Sequence, residues 1–114
     1  MIKNITKKTI MTNKMIIRES ILGKAVGLMF HRRLDDTAMV FPLKKEEIVS
    51  LHMLFVFFPI DVLYLDSEKK VVKIKESLKP FTFYNPKNKA VYIIELPKGT
   101  IERTKTTIND KIGF

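Results

Sequence analysis

The chain contains no cysteine, and only two of its 114 residues are histidine. Without cysteine the protein can form neither a disulfide nor a thiolate metal site, and it cannot use a cysteine nucleophile. The two histidines do not have the spacing of a metal-binding motif, so we predict neither a metal site nor a cofactor. The absence of cysteine also fits a reducing compartment, and we expect a cytoplasmic protein.

Long apolar segments are scarce as well. The first residues include several lysines, but no apolar stretch follows them, so we expect no signal peptide. The segment of residues 48–65 is apolar enough to be considered as a membrane span, and it contains His52, Pro59 and Asp61. Because the centre of a bilayer tolerates an unpaired carboxylate poorly, we predict no membrane span and interpret this segment as part of a buried core.

Arginine is rare for so basic a chain. The 21 basic residues include only 4 arginines, and the net charge is +9. A charge of this size allows a polyanionic partner such as nucleic acid. Specific readers of nucleic acid favour arginine, because its guanidinium group binds phosphate or guanine through two hydrogen bonds. The composition therefore favours a solvated, lysine-covered surface, with polyanion binding as the alternative.

The chain is organised around residues 51–66, its most apolar stretch. This stretch is typical of a buried strand over residues 51–58, a corner at Pro59, and a second strand, because proline cannot donate a hydrogen bond to a sheet. A chain of 114 residues has room for one domain, which we place at residues 1–114.

Two hairpins are predicted. Residues 71–75 are predicted to form a strand that pairs with residues 62–65, and within it Val72 and Ile74 alternate with Lys73 and Lys75, which indicates one inward and one outward face. A second hairpin is predicted between residues 9–12 and 15–18, with its turn at Asn13 and Lys14.

The other predicted elements are short. We expect a helix over residues 20–30, a strand over residues 37–41 that ends at Pro42, a solvated loop or helical turn over residues 44–47, and a strand over residues 90–96. In all, roughly seven or eight strands and one or two helices are expected. This pattern predicts a mainly β protein, at the margin of the α+β class, built as a compact antiparallel β-sandwich or barrel.

Three short motifs occur in order along the chain. They are Gly-Leu-Met-Phe-His-Arg at residues 27–32, Pro-Ile-Asp at residues 59–61 and Glu-Leu-Pro-Lys-Gly at residues 95–99. Through these motifs residues 15–114 resemble the prokaryotic domain-of-unknown-function 192 family, also called uncharacterised protein family 0127. The resemblance implies a mainly β, jelly-roll-like or barrel fold, and it implies no activity. Many members carry Trp-Met-Lys-Asn-Thr before the corner, whereas this chain has His-Met-Leu-Phe-Val at residues 52–56.

Four polar residues lie within or beside apolar segments and are the candidate binding residues, namely Arg32, His52, Asp61 and Glu95. Arg32 can clamp an anion, or it can tie the helix to the sheet by pairing with Glu95 or Asp61. Asp61 can accept backbone N–H groups at the corner, or it can act as an acid or base. We favour the structural role for both.

The roles of the other two candidates, Glu95 and His52, depend on whether their side chains are buried. Glu95 has the parity of Val91 and Ile93, so an inward face would make it a buried acid in need of a partner, which Arg32 would supply. For His52, a buried and hydrogen-bonded side chain is favoured over a metal ligand or a general base.

A proline-bounded aromatic loop is the feature most typical of nucleic-acid binding. It contains Phe81, Phe83 and Tyr84 between Lys79 and Lys87. Aromatic rings interleaved with lysines can stack bases and hold phosphates. The same alternation also occurs where a strand edge covers a core, which is the interpretation we favour.

These observations predict a non-catalytic module that binds a ligand or a partner. The alternatives are a basic nucleic-acid-binding protein and a small acid–base enzyme that uses Asp61 and His52. The chain has no phosphate-binding glycine loop, nucleophile elbow or triad order, which argues against an enzyme. Either a small ligand or a polyanion is compatible with the sequence, which does not indicate the oligomeric state.

Overall fold

The computed structural model describes residues 1–17, 36–52, 58–80 and 82–114, and for Leu51 and His52 it describes the backbone alone. Within these ranges the chain forms ten strands and one short helix. In chain order they are β1 (Ile2–Asn4), β2 (Thr9–Thr12), β3 (Lys14–Ile17), β4 (Thr37–Glu47), β5 (Leu51–His52), β6 (Ile60–Leu65), β7 (Val71–Leu78), β8 (Phe83–Tyr84), β9 (Ala90–Pro97), α1 (Thr100–Thr104) and β10 (Ile112–Gly113).

The strands form a five-stranded sheet, a three-stranded sheet and a two-stranded ribbon. Their orders are β3-β4-β9-β6-β7, β10-β1-β2 and β5-β8. All described pairings between these strands are antiparallel except that of β3 with β4, which is parallel. Among the described residues β3 and β7 are the outer strands of the five-stranded sheet, so this sheet does not close into a barrel.

The five-stranded sheet carries a hydrophobic cluster on each face, because successive side chains of a strand point to opposite sides. The first core cluster consists of Met39, Phe41, Val49, Ile60, Val62, Tyr64, Leu78, Ala90 and Ile93. The second core cluster consists of Ile2, Met11, Ala38, Val40, Leu63, Leu65, Val71, Ile94, Leu96, Ile101 and Ile112. The second cluster includes residues of β1, β2 and β10, so the three-stranded sheet covers that face. The prediction of a mainly β, sandwich-like fold is confirmed.

Strand β6 lies inside this arrangement, and all its residues are buried. Its nearly continuous apolar sequence is typical of a strand covered on both faces. Each large apolar side chain buried in this way contributes about 1.5–3 kcal/mol. The predicted pairing of β6 with β7 is confirmed, and Asp66 organises their turn by accepting N–H groups of Glu68 and Lys70 at 2.9 and 3.0 Å.

The predicted hairpin at Asn13 is wrong. β2 and β3 are separated by this single residue but belong to different sheets, and β3 instead pairs in parallel with β4. The change of sheet is fixed by Asp36, whose carboxylate accepts hydrogen bonds from the backbone and side-chain N–H groups of Asn13. The backbone carbonyl of Asp36 also accepts the N–H of Lys14. Non-local contacts therefore decide this pairing.

The prediction that a strand ends at Pro42 and gives way to a loop or helical turn is also wrong. β4 continues through Pro42 to Glu47. Pro42 lies opposite Tyr92 of β9, and the register shifts between Pro42 and Glu47. Proline is tolerated in a strand at such an irregularity, because one donor fewer is needed there.

Two other predicted elements are described only in part. The helix predicted over residues 20–30 lies outside the described residues. Of the strand predicted over residues 51–58, the structure describes Leu51 and His52 as β5, and residues 53–57 lie outside the described ranges. After β9, Gly99 has φ 90° and begins helix α1, a backbone conformation that glycine adopts without strain.

Candidate functional site

The structure describes the side chains of two of the four candidate binding residues, Asp61 and Glu95. Arg32 lies outside the described residues, so its pairing with either acid stays a prediction. His52 lies in β5 opposite Phe83 of β8, and its side chain is outside the description.

Asp61 is fully buried at the start of β6, and both oxygens of its carboxylate accept backbone N–H groups. Oδ1 accepts the N–H of Ser77 at 2.9 Å. Oδ2 accepts the N–H groups of Gly99 at 3.1 Å and Ile101 at 3.0 Å. The carboxylate therefore joins the end of β7 to the first turn of α1. The N–H groups in the first turn of a helix have no acceptor within the helix, and Asp61 supplies one for them.

Asp61 also holds an irregularity in the sheet. In the pairing of β6 with β7, Ile60 lies opposite Leu78 and Val62 lies opposite Lys75, so one residue of β6 faces two residues of β7. One of those two, Ser77, has φ 51°, a left-handed conformation that is uncommon for residues other than glycine. A β-bulge of this kind bends a strand and redirects its side chains, and bulges are common beside binding sites.

Glu95 is fully buried in β9 and lies on the other face of the sheet from Asp61. It is in register with Met39 and Val62, which belong to the first core cluster. Asp61 is in register with Leu96, which belongs to the second core cluster. Because the two carboxylates project from opposite faces, they do not share one cleft.

Tyr64 lies on the same face as Glu95, and its side chain is fully buried. Its hydroxyl has no hydrogen-bond partner among the described residues. Burial raises the pKa of Tyr64, and the nearby Tyr84 and Glu95 raise it further. The phenol therefore stays neutral, and its ring contacts that of Tyr84 with 6.2 Å between the ring centroids.

A cavity of about 210 Å³ opens beyond Tyr84, between the end of β7 and β8. We call it the β7–β8 cavity. Its lining consists of Lys75, Ser77, Leu78, Lys79, Thr82, Phe83 and Tyr84. Ser77, which lies in the β-bulge, belongs to this lining. The hydrogen bond from its N–H to the carboxylate of Asp61 fixes the backbone at this part of the cavity.

Two cations and two aromatic rings meet at the β7–β8 cavity. The ammonium group of Lys75 lies 5.4 Å from the ring centroid of Tyr84, within cation–π distance. Phe83 is 68% exposed, which is unusual for so large an apolar side chain. The hydroxyl of Thr82 donates to the carbonyl of Lys79 at 2.6 Å and fixes the loop between them. The cavity can therefore present positive charge and a flat apolar surface together.

Four lining residues were not among the candidates predicted from the sequence, namely Lys75, Ser77, Leu78 and Thr82. From the sequence, the alternation in β7 predicts that Lys75 points away from the side of Ile74. In the structure Lys75 is in register with Val62, so Lys75 lies on the face of the sheet that carries the first core cluster. That it meets Tyr84 depends on how the loop after β7 folds back. A positive φ at Ser77 has no sequence signal, because serine rarely adopts it.

The loop proposed for nucleic-acid binding is described in part. Lys79, Phe83 and Tyr84 all border the β7–β8 cavity. Lys87 is exposed and does not belong to the lining, and Phe81 lies outside the described residues.

Within the described ranges, no three acidic or histidine side chains come together in a way that could hold a metal ion. In the same ranges no helix is long and apolar enough to cross a membrane.

The chain is similar to proteins of archaea and bacteria. A UPF0127 protein of Pyrococcus horikoshii is 38% identical over 114 residues, which cover 100% of this chain and 98% of that protein. A crystal structure of a candidate transcription regulator from Sinorhizobium meliloti has a TM-score of 0.80 at 22% identity, covering 87% of this chain and 79% of that one. A protein of unknown function from Novosphingobium aromaticivorans has a TM-score of 0.79 at 19% identity, covering 88% and 74%.

At these identities the two crystal structures show a common fold and no common function. The family match is broader than the resemblance over residues 15–114, because it includes β1 and β2 as well. Residues 3–114 match the domain-of-unknown-function 192 family, described as Uncharacterized ACR. Together with the Pyrococcus relative, this match shows that the chain belongs to the domain-of-unknown-function 192 family.

Proposed function

We propose that this protein is a non-catalytic binding module, and that its ligand is a small molecule with a negatively charged group beside a planar ring. The observation that carries the proposal is the position of the Lys75 ammonium group, 5.4 Å from the ring centroid of Tyr84 at the β7–β8 cavity. We place the module in residues 1–114 and, because it has no cysteine, in a reducing cytoplasm.

The charge of the lining favours an anion. Lys75 and Lys79 both border the cavity, and none of its described lining residues is acidic. Neither lysine forms an ion pair with any residue that the structure describes. Two unpaired ammonium groups at one small cavity attract an anionic group, and the low-dielectric wall beside them strengthens this attraction.

The aromatic residues favour a planar ring next to that charge. Tyr84 is partly buried and fixed against Tyr64, whereas Phe83 is exposed. Stacking a ring on such side chains is favourable by about 1–3 kcal/mol per base. Cavities that enclose drug-sized ligands measure roughly 300–1,000 Å³. At about 210 Å³ the β7–β8 cavity suits one ring or one anionic group, with the rest of the ligand in solvent.

The lining also favours binding over catalysis. Among the side chains that the structure describes, the lining contains the hydroxyls of Ser77 and Thr82 but no histidine or carboxylate that could take a proton from them. Asp61, which accepts the N–H of the lining residue Ser77, accepts three backbone N–H groups in all. The cavity thus lacks a general base among its described residues.

Isothermal titration with uridine monophosphate tests the proposal, with uridine and inorganic phosphate as separate controls. We expect the monophosphate to bind more tightly than either part. Lys75→Gln and Tyr84→Leu should each weaken its binding about three- to tenfold, since the first removes the charge and the second removes the ring that would contact the ligand. Lys87→Gln is the matched control, because this exposed lysine lies outside the cavity. Equal weakening by Lys87→Gln, or no binding at all, would contradict the proposal.

Nucleic-acid binding is the second candidate, favoured by the 68% exposure of Phe83 beside Lys79. A single positive face would support it further. The described lysines instead occur on both sheets, for example Lys3 in β1, Lys44 in β4 and Lys73 in β7. Fluorescence anisotropy with single-stranded oligonucleotides distinguishes the candidates. Binding that survives physiological salt, and that Lys87→Gln and Phe83→Leu both weaken, would favour nucleic acid over a small ligand.

A further inference from the structure

A second cavity lies on the opposite side of the sandwich from the first core cluster, at the turn between β1 and β2. It has a volume of about 330 Å³ and is lined by Lys3, Asn4, Ile5, Lys8, Thr9 and Ile10. We call it the β1–β2 cavity. It shares no lining residue with the β7–β8 cavity, so the inference drawn from it does not depend on the proposed function.

The lining presents two cations and two aliphatic side chains to solvent. Lys3 and Ile10 are partners in the pairing of β1 with β2, so their side chains are neighbours on the same face. Ile5 is 53% exposed and Ile10 is 46% exposed. The intervening Asn4 is fully buried and points to the interior. The outer face of this turn therefore alternates positive charge with apolar surface.

The two lysines are not used by the fold. Neither Lys3 nor Lys8 forms an ion pair with a described residue, and none of the described residues that line the cavity is acidic. Lys7 in the same turn differs, because its ammonium group binds Asp110 at 2.7 Å and the hydroxyl of Thr107 at 2.8 Å. One lysine of the turn thus anchors it, while its neighbours are available to a ligand.

The turn is held in place before any ligand arrives. The N–H of Ile5 donates to the carbonyl of Lys111 at 2.8 Å, and the N–H of Lys7 donates to the side-chain oxygen of Asn4 at 2.9 Å. Ile5 also packs on Gly113, where a Cβ atom would come within 2.9 Å of its Cδ1. A cavity formed by anchored backbone needs little ordering on binding, which favours affinity.

We infer that the β1–β2 cavity binds a small carboxylate with an aliphatic body, with the carboxylate between Lys3 and Lys8 and the chain on Ile5 and Ile10. A volume of about 330 Å³ lies at the lower end of the range for small-molecule cavities. Aliphatic walls suit an alkyl chain, whereas the aromatic walls of the β7–β8 cavity suit a planar ring. Lysine supplies a point charge, which a single carboxylate group matches.

The test is a titration of the ¹⁵N-labelled full chain with hexanoate, followed by NMR. Acetate supplies the charge without the chain, and hexanol supplies the chain without the charge. We expect saturable shifts of the backbone N–H signals of residues 3–10 with hexanoate, at concentrations where acetate and hexanol cause none. Shifts with hexanol equal to those with hexanoate would overturn the role of the lysines. An absence of saturable shifts, or shifts near lysines throughout the chain, would overturn the site.

Variants separate the site from general charge effects. Lys3→Gln with Lys8→Gln should weaken hexanoate binding about three- to tenfold, as expected for two partly exposed charge pairs. Lys98→Gln with Lys105→Gln is the matched control, because both lysines are exposed and lie outside the cavity. Ile10→Ser should weaken binding, while Ile17→Ser, at a side chain that is 56% exposed in β3, should not. Equal effects of the test and control variants would overturn the inference.

Discussion

The side-chain amide of Asn4 donates a hydrogen bond of 2.9 Å to the carboxylate of Asp110, across 106 positions of the sequence. The same amide donates to the hydroxyl of Thr106 at 2.9 Å. The carboxylate of Asp110 also accepts hydrogen bonds from the ammonium group of Lys7 and from the backbone N–H of Thr107. This buried network fixes the start of the chain to the loop before β10, and it contributes to stability because every member is satisfied.

Asp110 makes the stability of the protein depend on pH. Burial alone would raise the pKa of its carboxyl, but hydrogen bonds from Asn4, Lys7 and the Thr107 N–H, together with the charge of Lys7, lower the pKa to about 2. Since this pKa is lower in the folded state than the unfolded value of about 3.9, the stabilisation is present above the unfolded value and is lost as the pH falls towards 2.

Asp110→Asn should therefore lower the stability of the protein at neutral pH. The variant should also lose less stability than the unmodified protein when the pH is lowered towards 2. We expect a loss of about 1–3 kcal/mol in the free energy of unfolding at pH 7, because Lys7 and the Thr107 N–H lose a charged acceptor. Urea denaturation between pH 2 and 7 measures both effects. An acid dependence as steep as that of the unmodified protein would show that other carboxylates dominate it.

Asp61→Asn should destabilise the protein by about 1–3 kcal/mol, because an amide cannot accept all three N–H groups that the carboxylate binds. In one orientation the NH2 group of the asparagine would face the N–H of Ser77, and in the other it would face the N–H groups of Gly99 and Ile101, so donors would meet donors in both. The measurement is urea denaturation, with Glu102→Gln on the exposed side of α1 as the control. Unchanged stability of the Asp61 variant would contradict the role assigned to its carboxylate.

Tyr64→Phe should leave stability at pH 7 unchanged or raise it, because the buried hydroxyl has no hydrogen-bond partner among the described residues. The pKa of Tyr64 is raised in the folded state, so its contribution is complete below the unfolded value of about 10 and declines above it. The variant should accordingly lose less stability than the unmodified protein above that pH. A loss at neutral pH would show that the hydroxyl has a stabilising contact.

Arg103→Ala should weaken the outer strand of the three-stranded sheet. The guanidinium group of Arg103 donates to the carbonyls of Ile10 at 3.1 Å and Met11 at 2.7 Å in β2, which is an outer strand of this sheet among the described residues. Such edges attract other strands unless they are covered. We expect about 0.5–1.5 kcal/mol of lost stability per net hydrogen bond and an increased tendency to aggregate. Arg103→Lys should destabilise the protein less than Arg103→Ala but should not match the unmodified chain, because one ammonium group cannot reproduce both guanidinium hydrogen bonds. Denaturation measures the stability, and light scattering measures the aggregation.

The sequence predicted those parts of the fold that depend on local patterns. The pairing of β6 with β7 follows from the alternation of apolar residues and lysines. The parallel pairing of β3 with β4 was not predicted, because it depends on Asp36 contacting Asn13 across 23 positions. Pro42 inside β4 was missed for a similar reason, since the irregularity that accommodates it is visible only in the register with β9.

The candidate site was predicted to a smaller extent. The parity of Glu95 indicated a buried acid on an inward face, and Asp61 was expected at a corner, but the faces to which the two residues point depend on the register of β6 and β9. The aromatic loop was recognised from its composition, whereas the meeting of Tyr84 with Lys75 requires the loop to return to β7. The sequence therefore supplied the residue types, and tertiary packing decided which of them share a cavity.

The most direct test of the account is to locate the bound ligand on the full chain. The ¹⁵N-labelled protein is titrated with uridine monophosphate, and backbone N–H signals are followed in the unmodified chain and in Lys75→Gln with Lys79→Gln. We predict saturable shifts confined to residues 75–84, which the double variant abolishes while its other signals keep their positions. Shifts elsewhere in the chain, or shifts in residues 75–84 that persist in the double variant, would contradict a ligand site at the β7–β8 cavity.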